Sequence, residues 1–268
     1  MPRVSKTTWP RAPLLLSTDT LSWYWLDLIF QLAKEQWYEW LDLAMWKNFD
    51  ARSIEYVAAL VKKYKLPIKV IQISRKVNIK EMNQAVDLAK AVSAEVITIN
   101  SPEIFNFKSY RFLTTHLPKY KAHNRDIKFS IINPKDSLYI WLIPKYYFKN
   151  IVQIIKKYSM YLWLDVANVQ EEVLENQFAK KMVNFIPYLS VVYLSDVDKH
   201  WNHHLPMWEW ELKLALLLKK FKQLEYWTYF SVKLDLDKKL LSDIGKIEVI
   251  LKKCKLYYKE NYEEVSIS

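Results

Sequence analysis

The residues of this chain that can do chemistry stand mostly at the ends of short apolar runs. Asp42 ends the second such run, Asn100 ends the fourth and Asn133 ends the fifth. An amide at such a place can hydrogen-bond the hydroxyl groups of a ligand, and a carboxylate can line the same pocket. We therefore expect Asp42, Asn100 and Asn133 to bind substrate.

A second group of such residues combines a carboxylate, a phenol and an ammonium. Asp165, Tyr193 and Lys233 end the sixth, seventh and eighth apolar runs, and we expect their side chains to converge. Asp165 and Lys233 are catalytic candidates, and Tyr193 is a substrate-binding candidate. Asp165 is either a functional carboxylate or the anchor of an ion pair. Lys233 has three interpretations: a structural ion pair, a ligand for phosphate or carboxylate, or a Schiff-base amine, which needs a lowered pKa.

More titratable residues follow the seventh run. Asp196 is a third catalytic candidate that can orient Lys199 or a substrate hydroxyl, although a solvated turn residue explains it equally well. Three histidines, His200, His203 and His204, lie within five residues and can either ligate a metal or stay idle on a surface loop. Of these, we expect His204 to contact substrate.

These candidate side chains can meet only in a fold that brings the ends of separate strands together. The chain alternates apolar strands with amphipathic helices, which is the pattern of such a fold. The predicted strands are residues 13–17, 41–44, 68–73, 95–100, 127–133, 161–166, 190–195 and 230–234. The predicted helices are residues 26–36, 53–64, 79–92, 110–124, 144–158 with Pro144 at its start, 170–185, 210–223 and 237–258. Eight such units predict an α/β fold, a (β/α)₈ TIM barrel forming one domain over residues 1–268. A doubly wound open sheet is the alternative, and residues 261–268 form a tail that is ordered or frayed.

The composition is unusual in having one glycine beside twelve tryptophans. A soluble chain of this length usually contains roughly nineteen glycines. We interpret several tryptophans as glycine positions, written as tryptophan because a code in which UGA means glycine was translated with the wrong table; a natural Trp-rich protein or a deliberate design is the alternative. The interpretation predicts a positive φ for Trp37, Trp40, Trp208 or Trp210. The tryptophans at turn-like places are Trp23, Trp25, Trp37, Trp40, Trp163, Trp208 and Trp210.

Several segments resemble the xylose-isomerase-like barrel family of sugar phosphate isomerases and epimerases. They are AKEQWYEWLDL at 33–43, AKAVSAEV at 89–96, LDVAN at 164–168 and HLPMWEWE at 204–211. The last segment matches the family's His-x-x-x-Gly-x-Gly loop once its two tryptophans are read as glycine. The resemblance spans nearly the whole chain and implies a barrel that acts on, or binds, a sugar or sugar phosphate.

The resemblance also implies one divalent metal, held by Glu, Asp, His and Glu at the ends of strands five to eight. The corresponding residues here are Ile132, Asp165, Tyr193 and Lys233, so one ligand of four remains and the site is degenerate. We expect Lys233 to replace the charge of the metal and to pair with Asp165. No metal or other cofactor is therefore expected, unless a divalent ion is held by a site rebuilt from other ligands.

The net charge and the lengths of the apolar runs limit the classes of partner that this chain can bind. The net charge is +11, but its lysines are scattered in pairs typical of solvated helix faces, so a specific nucleic-acid surface is not expected. Arg75 and Lys76 can meet a phosphate or form a solvated rim. The apolar runs at 14–16 and 214–218 are too short to span a membrane, and Cys254 alone gives no disulfide framework. We expect a cytoplasmic protein.

Three functions remain from the sequence. The first is a sugar phosphate isomerase or epimerase with altered, metal-free chemistry, and the second is a non-catalytic carbohydrate-binding or scaffold barrel. The third is an abasic-site endonuclease, which has a related fold but needs many metal ligands, and this chain has five histidines in all. The substrate, the reaction and the oligomeric state do not follow from the sequence.

Overall fold

Eight parallel strands close into a barrel, so the fold is the predicted single-domain (β/α)₈ TIM barrel. The computed structural model describes residues 11–74, 76–103, 105–133, 138–139, 143–144, 151–169, 185–198, 202–207 and 212–264. The barrel strands are β1 Leu14–Ser17, β2 Trp40–Ala44, β3 Ile68–Gln72, β4 Val96–Ile99, β5 Lys128–Ile132, β6 Tyr161–Asp165, β7 Leu189–Leu194 and β8 Tyr229–Val232.

Each strand pairs with its sequence neighbours, and the ring closes where β8 pairs with β1. Leu16 lies opposite Val232 at the closure, and Asp165 lies opposite Tyr193 where β6 meets β7. The strands are rich in Val, Ile and Leu because both faces of a barrel strand are buried. This register places the polar residues that follow the strands at one end of the barrel.

Helices cover the outside of the barrel, and most match their predicted positions. The described helices are α1 Leu26–Glu35, α2 Ile54–Tyr64, α3 Ile79–Val92, α4 Phe107–Arg111, α5 Leu117–His123, α6 Ile151–Tyr158, α7 Leu214–Gln223, α8 Lys238–Leu241 and α9 Ile244–Tyr258. None of the helices in these ranges is long and apolar enough to cross a membrane. Residues 170–184 of the predicted helix at 170–185 lie outside the described residues, as do Trp208 and Trp210.

Two predicted helices were wrong in detail. Pro144 does not begin a helix: it lies in a short strand, Ile143–Pro144, that pairs with Leu138–Tyr139, a place where a proline is tolerated. The predicted helix at 237–258 is two helices, because Asp237 and Asp243 each accept a backbone N–H bond and start a new one.

Short elements and the chain end complete the architecture. The segment Phe112–His116 is a π-turn that joins α4 to α5 before Pro118, and a second π-turn spans Lys259–Glu263. Tyr262 is buried and its hydroxyl donates to the Tyr226 carbonyl, so residues 261–264 of the predicted tail are packed against the barrel; residues 265–268 lie outside the described part of the chain. A further short pair, Asp196–Val197 with His203–Leu205, stands above β7.

Two apolar clusters fill the molecule. The larger one lies between the strands and the helices, and the smaller one fills the barrel interior. The interior cluster contains Leu15, Val70, Val96, Ile132, Trp163, Val191, Tyr193 and Tyr229. Because side chains alternate along a strand, Gln72 and Asp165, two places beyond Val70 and Trp163, also point to the inner side of the barrel.

The end of α1 has a geometry that glycine favours. Trp37 has φ 64, its N–H donates to Lys34 and the N–H of Tyr38 donates to Ala33, which together form a Schellman cap. The predicted positive φ is therefore confirmed at Trp37, whereas Trp40 lies in β2. Lys65 and Ser93 take the same conformation at the ends of α2 and α3.

Trp37→Gly should stabilise the protein by about 1 kcal/mol, because a bulky side chain at positive φ is strained and glycine is not. The indole is 82% exposed, so little packing is lost. The measurement is the urea midpoint at constant m-value. Trp227→Gly is the matched control, since Trp227 is also exposed and is not among the described residues with positive φ. An equal gain from both variants, or none from Trp37→Gly, would contradict the account.

Candidate functional site

A pocket of about 270 Å³ opens at the C-terminal ends of the strands. Active sites of (β/α)₈ barrels lie at this end. Its wall combines carboxylates, ammonium groups, amides and indoles rather than one kind of residue. The lining residues are Asp19, Thr20, Ser22, Trp23, Trp46, Lys47, Gln72, Asn100, Trp163, His204, Lys233, Leu234, Asp235, Leu236 and Leu241.

Lys233 lies over the barrel interior, as the predicted register requires. Its Nζ is 5.1 Å from the ring centre of Tyr193 and 5.5 Å from that of Trp163. A ring face attracts a cation, so the two aromatic side chains form a seat for the ammonium. The same Nζ lies 3.5 Å from Asp19 Oδ2.

Asp19 is the acidic centre of the pocket, and the sequence did not single it out. It lies in the short 3₁₀ turn Thr18–Leu21 directly after β1. Its second oxygen is 3.3 Å from Lys47 Nζ, so one carboxylate lies between two ammonium groups. The signal that could have found it is the rule used for Asp42: a carboxylate close behind an apolar strand run.

The predicted ion pair between Lys233 and Asp165 was wrong. Within the described part of the chain, Lys233 pairs with Asp19, and Asp165 Oδ2 instead faces His204 Nε2 at 3.6 Å. The resemblance had suggested the pair from strand positions alone. The places of Asp165 and Lys233 at the ends of β6 and β8 give no sign that Asp19, after β1, competes with Asp165 for Lys233.

His204 joins the pocket to Asp165. Its Nδ1 lies 3.0 Å from the Ser195 hydroxyl, and its other ring nitrogen faces Asp165. Burial lowers the pKa of His204, while the negative charge of Asp165 opposes that shift. The imidazole is therefore neutral at neutral pH and can accept a proton. His204 has φ 62, an uncommon conformation for a residue with a side chain.

The other sequence candidates fall into three places. Asn100 lines the pocket, as expected for a substrate ligand. Asn133 does not line it: its Oδ1 accepts from Asp165 N at 2.6 Å and its Nδ2 donates to Asp165 O at 3.0 Å. Asp196 is buried and accepts from Val197 N at 2.8 Å and Leu212 N at 3.0 Å. Its carboxylate thus shapes a turn, and the catalytic role expected for Asp196 stays a prediction.

The remaining loop candidates are only partly described. Lys76 is exposed and belongs to the rim. Arg75, Lys199 and His200 lie outside the described residues. His203 is half-buried beside His204, with ring centres 6.3 Å apart.

Asp42 and Tyr193 lie one layer below the pocket. Asp42 is fully buried, and the Ser231 hydroxyl donates to its Oδ2 at 3.0 Å. Burial raises the pKa of Asp42 to about 6, although Tyr193, Gln72 and Ser231 oppose the shift. Burial also raises the pKa of Tyr193, so its phenol stays protonated. Neither side chain lines the pocket, so the substrate contacts expected of them stay predictions.

The described residues at positions 132, 193 and 233, where the family holds its metal, do not fit a divalent ion. Ile132 has a hydrocarbon side chain, the Lys233 ammonium repels a cation, and the neutral phenol of Tyr193 is a poor ligand for a hard cation. Among the described residues, no group of three or more His, Cys, Asp or Glu side chains is placed to hold an ion. The positive charge in this site is supplied by Lys233 and Lys47.

Asp42 should make stability depend on pH in a known direction. Its pKa is raised in the folded state, so its contribution is full below its ordinary pKa of 3.8 and is lost as the pH rises through about 6. The difference corresponds to roughly 3 kcal/mol as an upper bound. Asp42→Asn should therefore raise the urea midpoint at pH 7.5 and have less effect at pH 4. Exposed Asp87→Asn is the control, and a pH-independent difference for Asp42→Asn would refute the burial argument.

Comparisons with known proteins support the fold. The chain is similar to a xylose isomerase domain containing protein from Salmonella typhimurium, with 13% identity, TM-score 0.68, and 92% of this chain and 97% of that chain covered. It is also similar to the 3-keto-D-glucoside 4-epimerase from E. coli, with 10% identity, TM-score 0.68, and 93% and 100% covered.

A third similar structure has a different activity. The family 2 AP endonuclease from Brucella melitensis shares 13% identity and a TM-score of 0.63, with 88% of this chain and 97% of that chain covered. No protein-family model matches the chain, and no curated protein matches its sequence. At these identities the likeness establishes the barrel fold shared with xylose isomerase-like proteins.

Proposed function

We propose that this barrel binds a sugar or sugar phosphate at its mouth and moves a proton on it without a metal ion, as an isomerase or epimerase. The observation that carries the proposal is the position of Lys233. Its ammonium lies on the aromatic seat of Tyr193 and Trp163, and it shares the pocket with the neutral imidazole of His204. A positive charge and a proton acceptor are thus combined in one small pocket.

The chemistry follows from these two groups. A base that removes a proton from the carbon beside a carbonyl leaves negative charge on the carbonyl oxygen. An ammonium held in a partly buried site stabilises that oxygen strongly, because little water competes. His204 takes the proton on Nε2, because Nδ1 is held by the Ser195 hydroxyl. Return of the proton to the neighbouring carbon, with the hydroxyl proton of that carbon passing to the former carbonyl oxygen, is an isomerisation. Return to the opposite face of the same carbon is an epimerisation and requires the planar enolate to turn over in the pocket. Ser195 and Asp165 orient the imidazole.

The pocket suits a sugar in size and lining. Its volume of about 270 Å³ is at the small end for ligand sites. Indoles offer flat faces for the C–H groups of a sugar ring, and amides and carboxylates bond hydroxyl groups. Trp23, Trp46 and Trp163 are the indoles; Gln72, Asn100, Asp19 and Asp235 are the polar groups. Lys47 adds a second positive charge that can meet a phosphate.

The comparisons support a sugar rather than another ligand class. One similar structure is a 3-keto-D-glucoside 4-epimerase, and others are described as a D-tagatose 3-epimerase-like protein and a sugar phosphate isomerase/epimerase. A nucleic-acid substrate, as for the AP endonuclease, is not proposed because the metal-ligand group that such chemistry needs is missing from the described residues. A small-molecule partner and a cytoplasmic location belong to the same proposal.

A non-catalytic sugar-binding barrel is the second candidate. It is favoured by the way Asp165 and Lys233 are engaged. Asp165 Oδ1 accepts from Ala167 N at 3.2 Å, and Lys233 is paired with Asp19. If neither group changes partner when a ligand binds, the pocket holds a sugar without reacting.

Proton exchange with solvent separates the two candidates. A panel of D-fructose, D-tagatose and D-fructose 6-phosphate is incubated with the protein in D₂O, and NMR follows exchange at the carbons beside the carbonyl. We expect exchange that falls at least about 100-fold in Lys233→Met and in His204→Asn, a variant chosen because Asn tolerates positive φ. Lys90→Met, at an exposed lysine of α3, is the matched control and should exchange normally.

The outcomes are distinct. Thermal stabilisation by a sugar without exchange supports the non-catalytic barrel. Exchange that survives Lys233→Met contradicts the role of the ammonium. A panel that neither stabilises the protein nor exchanges contradicts the proposed function.

A further inference from the structure

A second cavity, of about 540 Å³, opens at the opposite end of the barrel from the candidate site. Its described walls include residues that precede three neighbouring strands: Asn124 before β5, Ser159 before β6 and Pro187 before β7. The N-terminal ends of the strands form the face of a barrel that lies away from the active site. A ligand in this cavity would therefore not share the pocket at the barrel mouth.

Three cationic side chains line this cavity. They are Lys121 on α5, Arg125 directly after that helix and Lys156 on α6. None of the described residues on its wall is acidic. Asp126 follows Arg125 in sequence, but it is exposed and is not among those wall residues. The cavity therefore concentrates positive charge on a wall whose described residues carry no negative charge.

Elsewhere in the described chain, lysines are commonly paired with carboxylates. Lys63 Nζ lies 2.7 Å from Asp27 Oδ1, and Lys69 Nζ lies 2.7 Å from Glu95 Oε1. None of the ion pairs between described residues includes a cation of this cavity. Like charges that share a cavity repel one another, and an anion bound between them removes that repulsion.

The ammonium of Lys121 is held in place by the end of α6. It donates to the carbonyl oxygen of Tyr158 at 3.3 Å and to that of Ser159. These carbonyl groups use two of its three N–H donors, and an anion in the cavity can take the third. Burial lowers the pKa of Lys121, because its ammonium is partly removed from water. A negative charge beside it would offset that cost.

The rest of the described wall is mostly apolar and aromatic. Its side chains include Ile127, Ile155, Met160, Pro187, Tyr161 and Tyr188. The first three are buried and form an apolar floor, whereas Tyr188 is 37% exposed, so its ring is open to a ligand. A volume of about 540 Å³ lies within the range of small-molecule sites and is far larger than a free phosphate needs.

We propose that this cavity binds a nucleotide or a similar phosphate ester of a planar ring. Arg125, Lys156 and the third donor of Lys121 hold the phosphate, since guanidinium and ammonium groups both form strong hydrogen bonds to phosphate oxygens. The ring of the ligand packs on Tyr188 above the apolar floor. This site does not depend on the proposed function, because it lies at the other end of the barrel and its ligand is not the substrate.

The first test measures AMP binding by calorimetry. Arg125→Met and Lys156→Met should each weaken AMP binding about ten-fold, because each removes a hydrogen bond from a charged group to the phosphate. Lys157→Met is the matched control: Lys157 is exposed on the same helix, and its Nζ lies over the ring of Tyr158. It removes the same charge and should leave AMP binding unchanged. An equal loss in Lys157→Met would indicate general charge attraction and would overturn the site.

The second test separates the phosphate from the ring. Tyr188→Ala should weaken AMP binding several-fold and leave the binding of inorganic pyrophosphate unchanged, and adenosine should not bind measurably. Normal AMP binding by Tyr188→Ala would overturn the placement of the ring.

Three further results would overturn the inference as a whole. They are a chain that binds no AMP, a chain that binds a single-stranded oligonucleotide but not AMP, and loss of AMP binding in Lys233→Met, which would place AMP at the barrel mouth. Because no sugar is present in these measurements, they succeed or fail separately from the proposed sugar chemistry.

Discussion

A positive charge at the mouth of a barrel has to be compensated, and the ion pair between Lys233 and Asp19 does this. The Lys233 side chain is only 16% exposed, so removing Asp19 would leave a poorly solvated ammonium. The pair also joins distant parts of the chain, because Asp19 follows β1, Lys233 follows β8, and Lys47 after β2 binds the same carboxylate. Nearby, Thr20 Oγ1 accepts a hydrogen bond from Leu234 N at 2.9 Å, which also links the end of β1 to the end of β8.

The near absence of glycine affects the backbone as much as the site. Six described residues other than glycine have positive φ, among them Trp37, Lys65 and Ser93 at the ends of three helices. Each such position costs of order 1 kcal/mol or more relative to glycine, so the barrel carries strain at its helix ends. At Trp163 the bulk of the indole fills the barrel interior beside Tyr193.

The barrel itself was predictable, because eight apolar runs at regular spacing leave few other folds. The strand ends at Asn100, Asp165 and Lys233 were also correct, since parallel strands in a barrel end on the same side, whereas Asp42 lies in the middle of β2 instead of at its end. The partners of these residues were not predictable. Asp19 captures Lys233 through a turn whose geometry depends on the closed barrel, and Asn133 bonds the backbone of β6 instead of facing the pocket. Likewise, Pro144 fits a helix start by sequence, yet it pairs with Leu138 in a short strand. Periodicity reveals which residues share a barrel end, but side-chain pairing depends on distances that only the fold sets.

The central claim is that Lys233 supplies the positive charge of a sugar site without a metal ion. The most direct measurement determines metal content and sugar affinity on one sample after exhaustive dialysis against EDTA. The account predicts less than a tenth of an equivalent of manganese, zinc or magnesium, with D-fructose or D-fructose 6-phosphate binding unchanged by dialysis and weakened in Lys233→Met. About one equivalent of a divalent metal retained through dialysis, or sugar binding that disappears with EDTA and returns with the metal, would contradict it.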